Sequence, residues 1–369
     1  MNVSELRAVV LAGGASTRMG APKALLGVAG VPAVLRVAAA YREVGVESLV
    51  VLGHDADPVA RLLAEHGARA VVNERHAEGM FSSVRCGARE LDGGTRAFFV
   101  HPVDCVLVRP ETIALLARSE AAGREVVCPQ YAGERGHPPL LPAALRETIL
   151  ACAPTGSLRE LLAGAGVREV PVGDPHVLED MDRPADLERL REEAVRERLP
   201  GPEECRALLA RQRTPAAVIA HAESVALVAG RLGEALRAAG VCLDLRLLQA
   251  AALTHDIARA AAGAAVLDTE GYPRVAAVVR HHMDLPTVSG EPGEVEVLFL
   301  ADKLTIGADI VSLSRKQERA EELFVADADA LAGARRRLAD ARALAGRIEE
   351  LVGRPLADVV AGDPVRPGR

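Results

Sequence analysis

The stretch Leu11-Ala12-Gly13-Gly14-Ala15-Ser16-Thr17-Arg18-Met19-Gly20 follows directly on an apolar run near the start of the chain, and Lys23 comes three residues later. The apolar run, residues 8–11, predicts a buried parallel strand. Gly13 and Gly14 carry no side chains, so their backbone N–H groups can approach a ligand closely and surround phosphate oxygens. The stretch therefore predicts a strand that ends in a phosphate-binding loop.

Two cationic side chains accompany this loop. Arg18 offers a planar guanidinium for bidentate contacts with phosphate, and Lys23 offers a compact point charge. Two positive charges on one glycine-rich turn suit a nucleoside triphosphate whose pyrophosphate must leave. The spacing differs from the G-x-G-x-x-G of dinucleotide sites and lacks the G-K-[ST] ending of a P-loop. We favour a triphosphate site over an ordinary strand-to-helix turn with a solvated Arg and Lys.

The composition limits the class of protein. A length of 369 residues favours two domains. The net charge of −7 argues against a general nucleic-acid-binding surface. Six cysteines without a C-x-x-C pair indicate free thiols in a reducing compartment rather than a disulfide framework or zinc ribbon. No signal peptide or bilayer-length apolar run is evident, so we expect a soluble cytoplasmic protein without nucleic-acid or membrane partners.

The first half alternates short apolar runs with helical stretches. Amphipathic segments, such as residues 33–44 and 58–66, lie between the runs. The alternation predicts an α/β fold with a Rossmann-like, mainly parallel sheet, crossover helices and ligands at the carboxyl ends of the strands. The predicted strands are residues 8–11, 48–52, 70–72, 97–100, 125–128 and 167–172.

The second half is helical almost throughout. A charge-rich stretch broken by Pro200-Gly201-Pro202 separates the halves and predicts a boundary. Helical periodicity then follows in residues 215–236, 243–256, 272–282, 295–311 and 328–351. We therefore predict an α/β domain over residues 1–192, a linker over 193–213, an all-α bundle over 214–350 and a tail over 351–369.

The loop from Leu11 to Lys23 resembles the signature of the MobA-like nucleotidyltransferases, which include the molybdenum cofactor guanylyl- and cytidylyltransferases. The resemblance continues through most of the first half. Gly136-His137-Pro138 is similar to the family's Gly-His-Pro loop near the acceptor. Three further segments carry the resemblance, namely Asn73 to Arg89, Val100-His101-Pro102-Val103-Asp104, and Asp180-Met181-Asp182-Arg183-Pro184-Ala185-Asp186.

The resemblance implies a set of nucleotide-binding residues and a magnesium site. Asp104 would ligate Mg²⁺, which prefers hard oxygen ligands, although Val103 before it and Cys105-Val106 after it depart from the family's Gly-Asp-x-Pro. Alternation puts Asp180 and Asp182 on one face, so either can complete the site, and we favour Asp182. Asp186 reads as an N-terminal helix charge. The implied nucleotide-binding residues are Leu11, Ala12, Gly13, Gly14, Ser16, Arg18, Lys23, Asn73, Ser82 and Ser83, with the two serines expected to cap a helix.

The helical half carries four chemically distinctive positions in order, namely His221, the pair His255-Asp256, the pair His281-His282, and Asp302. This pattern resembles the HD-domain phosphohydrolases, whose helical bundle carries a divalent metal. Imidazole and carboxylate ligands together suit Mn²⁺ or Fe²⁺. The resemblance implies His221, His255, Asp256 and Asp302 as metal ligands, with Asp256 also catalytic. His281 and His282 would serve a second ion, or would form a solvated helix end.

These patterns together predict a bifunctional enzyme. One half would transfer NMP from an NTP, with CTP favoured, to a phosphorylated acceptor and release pyrophosphate, using Arg18, Lys23 and Asp104. The resemblance implies molybdopterin as the acceptor and a partner in molybdoenzyme maturation, and the other half would hydrolyse a phosphoester. The alternative is a sugar-phosphate or other phosphate acceptor, with the HD half a non-catalytic metal or nucleotide sensor. The sequence does not decide the oligomeric state.

Overall fold

The computed structural model describes residues 2–14, 19–153, 155–195, 199–258, 260–285 and 291–361. The chain divides into two units, Met1–Glu197 and Arg198–Arg369. The first is an α/β unit and the second is helical, which confirms the predicted fold class.

The first unit contains ten strands and seven α-helices within the described residues. Its strands are β1 (Leu6–Ala12), β2 (Gly27–Val28), β3 (Val31–Pro32), β4 (Glu47–Leu52), β5 (Arg69–Val72), β6 (Ala97–Pro102), β7 (Val126–Tyr131), β8 (Glu134–Arg135), β9 (Leu140–Pro142) and β10 (Val167–Pro171). Its helices are α1 (Ala33–Glu43), α2 (Ala56–Glu65), α3 (Met80–Arg89), α4 (Pro110–Ala117), α5 (Leu145–Ala151), α6 (Leu158–Ala163) and α7 (Pro184–Val195).

The main sheet has the order β10-β7-β9-β6-β1-β4-β5, with β8 paired to β7. Strand β1 runs parallel to β4 and β6, and the β4–β5 and β7–β10 pairs are also parallel. Strand β9 is antiparallel to both β6 and β7. All six predicted strands are present. The sequence analysis missed β2, β3, β8 and β9 because strands of two or three residues are too short to show a period.

The central strands of the sheet bring several strand ends, where ligands of parallel sheets bind, to one edge. In β1 and β6, residues such as Val10 and Phe99 are fully buried, because a parallel sheet covered on both faces buries both sides of each strand. The carboxyl ends of β1, β4 and β6 lie side by side. The loops that follow these strands are therefore adjacent at one edge.

A buried ionic network joins the segment after β10 to helix α7. The Asp174 carboxylate is buried and accepts hydrogen bonds from the Arg109 backbone N–H (2.9 Å) and the Thr112 hydroxyl (2.8 Å). The His176 ring lies between Asp174 Oδ1 and Glu193 Oε2, at 3.0 Å from each. Burial disfavours the imidazolium, but these two carboxylates outweigh it and raise the pKa of His176 to about 9.

This pKa predicts a loss of stability at alkaline pH. The pKa of His176 in the folded chain lies above the ordinary value of 6.5, so its stabilisation is fully present below that pH and disappears as pH rises through about 9. We expect His176→Gln to have a lower free energy of unfolding than the parent near pH 6. This difference between the two proteins should shrink by roughly 2–3 kcal/mol when the pH is raised to about 9.5, as measured by urea unfolding. An equal difference at both pH values would contradict the assignment.

The second unit contains nine α-helices and one small hairpin within the described residues. The helices are α8 (Pro202–Arg211), α9 (Ala216–Ala238), α10 (Leu245–Thr254), α11 (Ala260–Thr269), α12 (Pro273–Val279), α13 (Glu294–Lys303), α14 (Leu313–Leu323), α15 (Ala328–Val352) and α16 (Leu356–Ala361). The hairpin pairs β11 (Thr305–Ile306) with β12 (Asp309–Ile310). One core, to which α9, α10, α12 and α13 contribute most, holds the unit together.

The helical unit extends beyond residues 214–350. Helix α8 lies inside the predicted linker, yet its Cys205 and Leu208 are fully buried in the helical core. Pro200-Gly201-Pro202 marks the start of this helix, since Gly201 is the N-cap and Pro202 occupies the first turn. At the other end, α16 buries Val359 within the predicted tail. Short terminal helices show too few apolar positions for a periodic pattern, so the sequence does not distinguish them from a linker or a tail.

Helix α9 alone, among the helices of the described residues, is long and apolar enough by length and composition to cross a membrane. This differs from the expectation that no run has the required length. The helix buries Val225, Val228 and Leu232 in the core of its unit, and core helices of globular units share the same composition.

Candidate active sites

A cavity of about 750 Å³ opens at the carboxyl edge of the main sheet. The segments after β1, β4 and β6 contribute to its wall, as parallel α/β sheets lead one to expect. Ser16 and Arg18 lie outside the described residues. The predicted residues that line the cavity are Leu11, Ala12, Gly13, Gly14, Lys23, Ser83, Asp104 and Asp182.

The glycine loop packs closely against the segment after β4. A Cβ atom on Gly53 would lie 2.6 Å from the Gly13 carbonyl oxygen, and one on Gly13 would lie 3.2 Å from Ser83 Oγ. The close approach therefore requires glycine at position 53, and at position 13 a side chain would have to displace the Ser83 hydroxyl slightly. Sequence reasoning found Gly13 but missed Gly53, whose place directly after a parallel strand was the available signal.

Lys23 joins the two predicted carboxylates. Its Nζ atom lies 2.8 Å from Asp104 Oδ2 and 2.5 Å from Asp182 Oδ1. Burial disfavours the charged ammonium, but the hydrogen bonds and charges of Asp104 and Asp182 outweigh it and raise the pKa of Lys23. Two carboxylate oxygens that converge on one positive charge are also the donor set that Mg²⁺ prefers. The residues at this place fit a hard divalent cation.

The segment Asp180-Met181-Asp182, just before helix α7, directs the Asp182 side chain towards the cavity. Met181 is fully buried, which turns its neighbours Asp180 and Asp182 away from the core. The Asp186 carboxylate accepts hydrogen bonds from the backbone N–H groups of Asp182 (3.2 Å) and Arg183 (2.7 Å) at the start of α7. Asp182 contacts Lys23, whereas Asp180 is exposed. The nearby charges of Asp182 and Asp104 add to desolvation and raise the pKa of Asp180.

Asn73, Ser82 and Ser83 form a buried hydrogen-bonded group beside the cavity. The Asn73 side-chain amide donates to Ser82 Oγ (2.8 Å) and Ser83 Oγ (3.0 Å). The expectation that the serines cap helix α3 is wrong, because Gly79 is the N-cap and both serines lie inside the first turn. The helix therefore begins three residues before Ser82 would have capped it, and Gly79 has a φ of 103°, which glycine adopts without strain. Ser83 lines the cavity, and Asn73 holds its hydroxyl in place.

Two histidines that sequence reasoning did not assign also line the cavity. His54 follows β4 and His76 precedes α3, and their ring centroids lie 6.2 Å apart. His76 Nδ1 lies 3.1 Å from the Asn73 carbonyl oxygen, which can only accept, so this nitrogen donates. The position of His54 at a strand end was the signal for it.

The helical unit brings together most of the predicted metal ligands in what we call the histidine cluster, composed of His221, His255, Asp256, His282 and Asp302. Their side chains come from α9, from the segments directly after α10 and α12, and from the last turn of α13. His221 Nε2 lies 3.2 Å from Asp302 Oδ1, and His255 Nε2 lies 3.4 Å from Asp256 Oδ2. His282 Nε2 lies 3.6 Å from Asp256 Oδ1.

All three rings are oriented by backbone carbonyls. His221 Nδ1 lies 3.0 Å from the Gly307 oxygen, His255 Nδ1 lies 2.8 Å from the Ala252 oxygen, and His282 Nδ1 lies 2.6 Å from the oxygen of residue 279. A carbonyl only accepts, so each Nδ1 carries a proton and each Nε2 faces a carboxylate. Metal-ligating histidines are oriented in this way.

The arrangement of acceptors requires a positive charge at the cluster, either a proton on a ring or a bound cation. His255 is 1% exposed, and its Nε2 atom has no hydrogen-bond partner among the described residues. A neutral Nε2 lone pair beside a carboxylate oxygen is unfavourable unless a cation or proton lies between them. The ligand atoms of His221, His255 and Asp256 all lie within 4.8 Å of one another. These residues fit a divalent transition metal.

Two lysines that the sequence analysis did not assign surround Asp302. Lys303 Nζ lies 2.6 Å from Asp302 Oδ2, and Lys316 Nζ lies 3.9 Å from Oδ1. Burial disfavours the charged carboxylate, but the lysine charges and the His221 hydrogen bond hold the pKa of Asp302 well below its usual range. Burial likewise opposes ionisation of Asp256, yet His255 and His282 lower its pKa. Both acids are therefore ionised at neutral pH.

The pair His281-His282 divides between the cluster and the surface. His282 is 1% exposed and faces Asp256, whereas His281 is exposed and does not join these side chains. The two side chains point in directions about 100° apart, and here only that of His282 is directed into the core. The structure therefore places one member of the pair at the cluster.

Models of two known families match the two halves of the chain. Residues 8–170 match the model of the MobA-like NTP transferase domain, and residues 218–334 match that of the HD domain. The chain joins a MobA-like NTP transferase domain to an HD domain. Both resemblances found in the sequence are confirmed. No curated protein matches the chain.

Solved structures similar to the chain cover about half of it. Rv0371c from Mycobacterium tuberculosis H37Rv is 25% identical, with 52% of this chain and 100% of that one covered at a TM-score of 0.46. A nucleotidyl transferase from Methanothermobacter is 24% identical, with 52% and 98% covered at 0.46. The molybdopterin-guanine dinucleotide biosynthesis protein A of Archaeoglobus fulgidus is 18% identical, with 52% and 99% covered at 0.42.

Proposed function

We propose that the MobA-like domain is a Mg²⁺-dependent nucleotidyltransferase that transfers NMP from an NTP to a phosphorylated small molecule and releases pyrophosphate. The observation that carries this proposal is the convergence of the glycine loop, Lys23 and the Asp104–Asp182 pair on one cavity. The family match over residues 8–170 supports the class of reaction.

Each part of the site has a role in this reaction. The backbone N–H groups of Gly13 and Gly14 hold phosphate oxygens, and Lys23 and Arg18 supply positive charge. Asp104 and Asp182 hold Mg²⁺, which when bound stabilises the charge that develops on the phosphate oxygens. The acceptor phosphate oxygen attacks the α-phosphorus as the bond to pyrophosphate breaks. The protein contributes positioning and electrostatic stabilisation rather than covalent chemistry.

We further propose CTP as the donor, molybdopterin as the acceptor and molybdoenzyme maturation as the process served. Support comes from the segment around Asn73 and from Gly136-His137-Pro138, which resemble the cytidylyl branch. A cytoplasmic, reducing location is part of the proposal, because all six cysteines are free. A sugar phosphate is the alternative acceptor.

Pyrophosphate release with each NTP against a panel of acceptors tests this assignment. We expect the highest kcat/KM with CTP and molybdopterin, at least about tenfold above a sugar phosphate, because each well-placed polar contact contributes roughly that factor. A sugar phosphate that reacts faster than molybdopterin with any NTP would replace the proposed acceptor.

We propose that the HD domain is a phosphohydrolase that uses Mn²⁺ or Fe²⁺. The carrying observation is the set of three rings whose Nε2 atoms face Asp256 and Asp302. A bound metal of this kind supplies hydroxide near neutral pH. His221, His255, Asp256 and Asp302 would hold the metal, Asp256 would also orient the attacking water, and Lys303 compensates the buried charge of Asp302. The alternative is a sensor that binds metal or nucleotide without hydrolysis, and a phosphatase screen of the metal-loaded full chain separates the two.

A further inference from the structure

A buried histidine lies directly behind the proposed Mg²⁺ ligand Asp104. His101 is the penultimate residue of β6 and is 1% exposed. Its Nε2 atom lies 2.9 Å from the Cys105 carbonyl oxygen. Its Nδ1 atom lies 2.9 Å from the hydroxyl of Tyr41, a fully buried residue of α1. Both ring nitrogens of His101 are therefore hydrogen-bonded inside the core.

The direction of both hydrogen bonds follows from the partners. A carbonyl only accepts, so His101 Nε2 carries the proton and donates it to Cys105. His101 Nδ1 then accepts the hydrogen bond that the Tyr41 hydroxyl donates. Burial lowers the pKa of His101 to about 4, so the ring is neutral at physiological pH and this tautomer persists. The ring is a fixed donor towards the turn after β6.

Backbone hydrogen bonds fix the residues on both sides of Asp104 in that turn. The Val103 N–H donates to the Leu11 carbonyl of β1 (3.0 Å), which ties the preceding residue to the strand that carries the glycine loop. The Cys105 N–H donates to the Pro102 carbonyl (3.1 Å), and the Cys105 carbonyl accepts from His101. Both polar backbone groups of the residue after Asp104 are thus occupied. The Asp104 carboxylate projects from this turn to Lys23.

We infer that His101 is a positioning residue of the nucleotidyltransferase site, which holds the Pro102–Cys105 turn so that the Asp104 carboxylate meets the divalent cation. This inference rests on the proposed role of Asp104 as a Mg²⁺ ligand. If the His101 imidazole only filled space in the core, its loss would change the stability of the fold and leave the affinity for the cation unchanged. The two possibilities differ in whether loss of the donor to Cys105 changes the affinity for the cation.

Variants of the full chain separate these possibilities. In His101→Gln the side-chain amide can reach the place of Nε2 and still donate to Cys105, whereas His101→Asn is too short and His101→Met fills the space without a donor. Tyr41→Phe removes a buried hydroxyl but leaves the donor to Cys105, and it serves as the matched stability control. Folding is checked by circular dichroism and thermal denaturation.

Two readouts are compared across these variants. The first is the Mg²⁺ concentration that half-saturates pyrophosphate release. The second is direct binding of Mn²⁺ to the site that Asp104→Asn removes, measured by electron paramagnetic resonance. We expect His101→Asn and His101→Met to raise the half-saturating concentration and weaken Mn²⁺ binding by about tenfold, the effect of one lost hydrogen bond. His101→Gln and Tyr41→Phe should stay within about twofold of the parent.

The outcomes distinguish this inference from the proposed function. Folded His101→Asn or His101→Met with the parent's affinity for both cations would overturn the positioning role and leave the proposed function intact. Equal weakening in His101→Gln would also overturn it, because the donor would then be irrelevant. A parent chain that binds no Mn²⁺ through Asp104 would overturn the metal site itself and the inference with it.

Discussion

Asp104→Asn and Asp182→Asn are each expected to reduce Mg²⁺-dependent pyrophosphate release by roughly 10²–10³-fold, because loss of a charge-stabilising metal raises the barrier by several kcal/mol. Both carboxylates contact the Lys23 ammonium at the wall of the cavity. Each amide keeps the shape of the acid and removes the charge that holds the cation. Steady-state assays with the preferred NTP and acceptor measure the effect.

Asp180→Asn is the matched control for this result. Asp180 lies two residues from Asp182 on the same segment, but its side chain is exposed. We expect this variant to keep more than about half of the parent activity, since its side chain is exposed and the Lys23 ammonium contacts Asp104 and Asp182 instead. Thermal denaturation verifies that all three variants fold. Near-normal turnover in folded Asp104→Asn and Asp182→Asn would remove both residues from the proposed metal site.

His255→Ala is expected to lose both the bound transition metal and the phosphohydrolase activity of the HD domain. Its imidazole is buried, and its Nε2 atom faces Asp256 at the centre of the histidine cluster. Loss of a residue that only hydrogen-bonds to a metal ligand typically lowers metal affinity by about 10- to 100-fold. Loss of a ligand itself should therefore lower the affinity by at least this factor. Metal analysis of the full chain after loading with Mn²⁺ or Fe²⁺ measures binding, and phosphoester hydrolysis measures activity.

Two further variants sharpen this experiment. Asp256→Asn should retain part of the metal but lose hydrolysis, because it removes the charge that orients the nucleophile. His281→Ala should keep both properties, since His281 is exposed beside the cluster residue His282. Unchanged metal content in His255→Ala would eliminate the proposed site. Metal retained by the parent without hydrolysis of any phosphoester would favour the sensor.

Local sequence was sufficient for the elements that have a period or a motif. The central strand β1 is an unbroken apolar run because it is buried on both faces, and such a run is visible without any tertiary information. Helix α9 is similarly evident from its apolar spacing. The glycine loop could be placed at the sheet edge because ligands of parallel sheets bind where strands end.

Some assignments failed where the structure depends on turns and on short elements. The start of α3 at Gly79, rather than at Ser82, depends on a glycine conformation that no hydrophobic pattern records. The sequence pattern predicts a linker where α8 lies, because the burial of its apolar side chains in the core of the helical unit depends on contacts distant along the chain. Strand β9 escaped notice because three residues show no alternation.

Patterns within short windows of the chain were sufficient to indicate the two families, the order of most strands and helices, and the residue types proposed for both sites. Only the tertiary structure brought Lys23 to Asp104 and Asp182, which are 81 and 159 residues away along the chain. Asp182, which the sequence analysis favoured over Asp180, is the contact of Lys23. Only the tertiary structure singled out His282 from His281 as a member of the cluster. The physical reason is that the direction of a side chain after a strand or helix is set by the turn it occupies and by the elements packed around it.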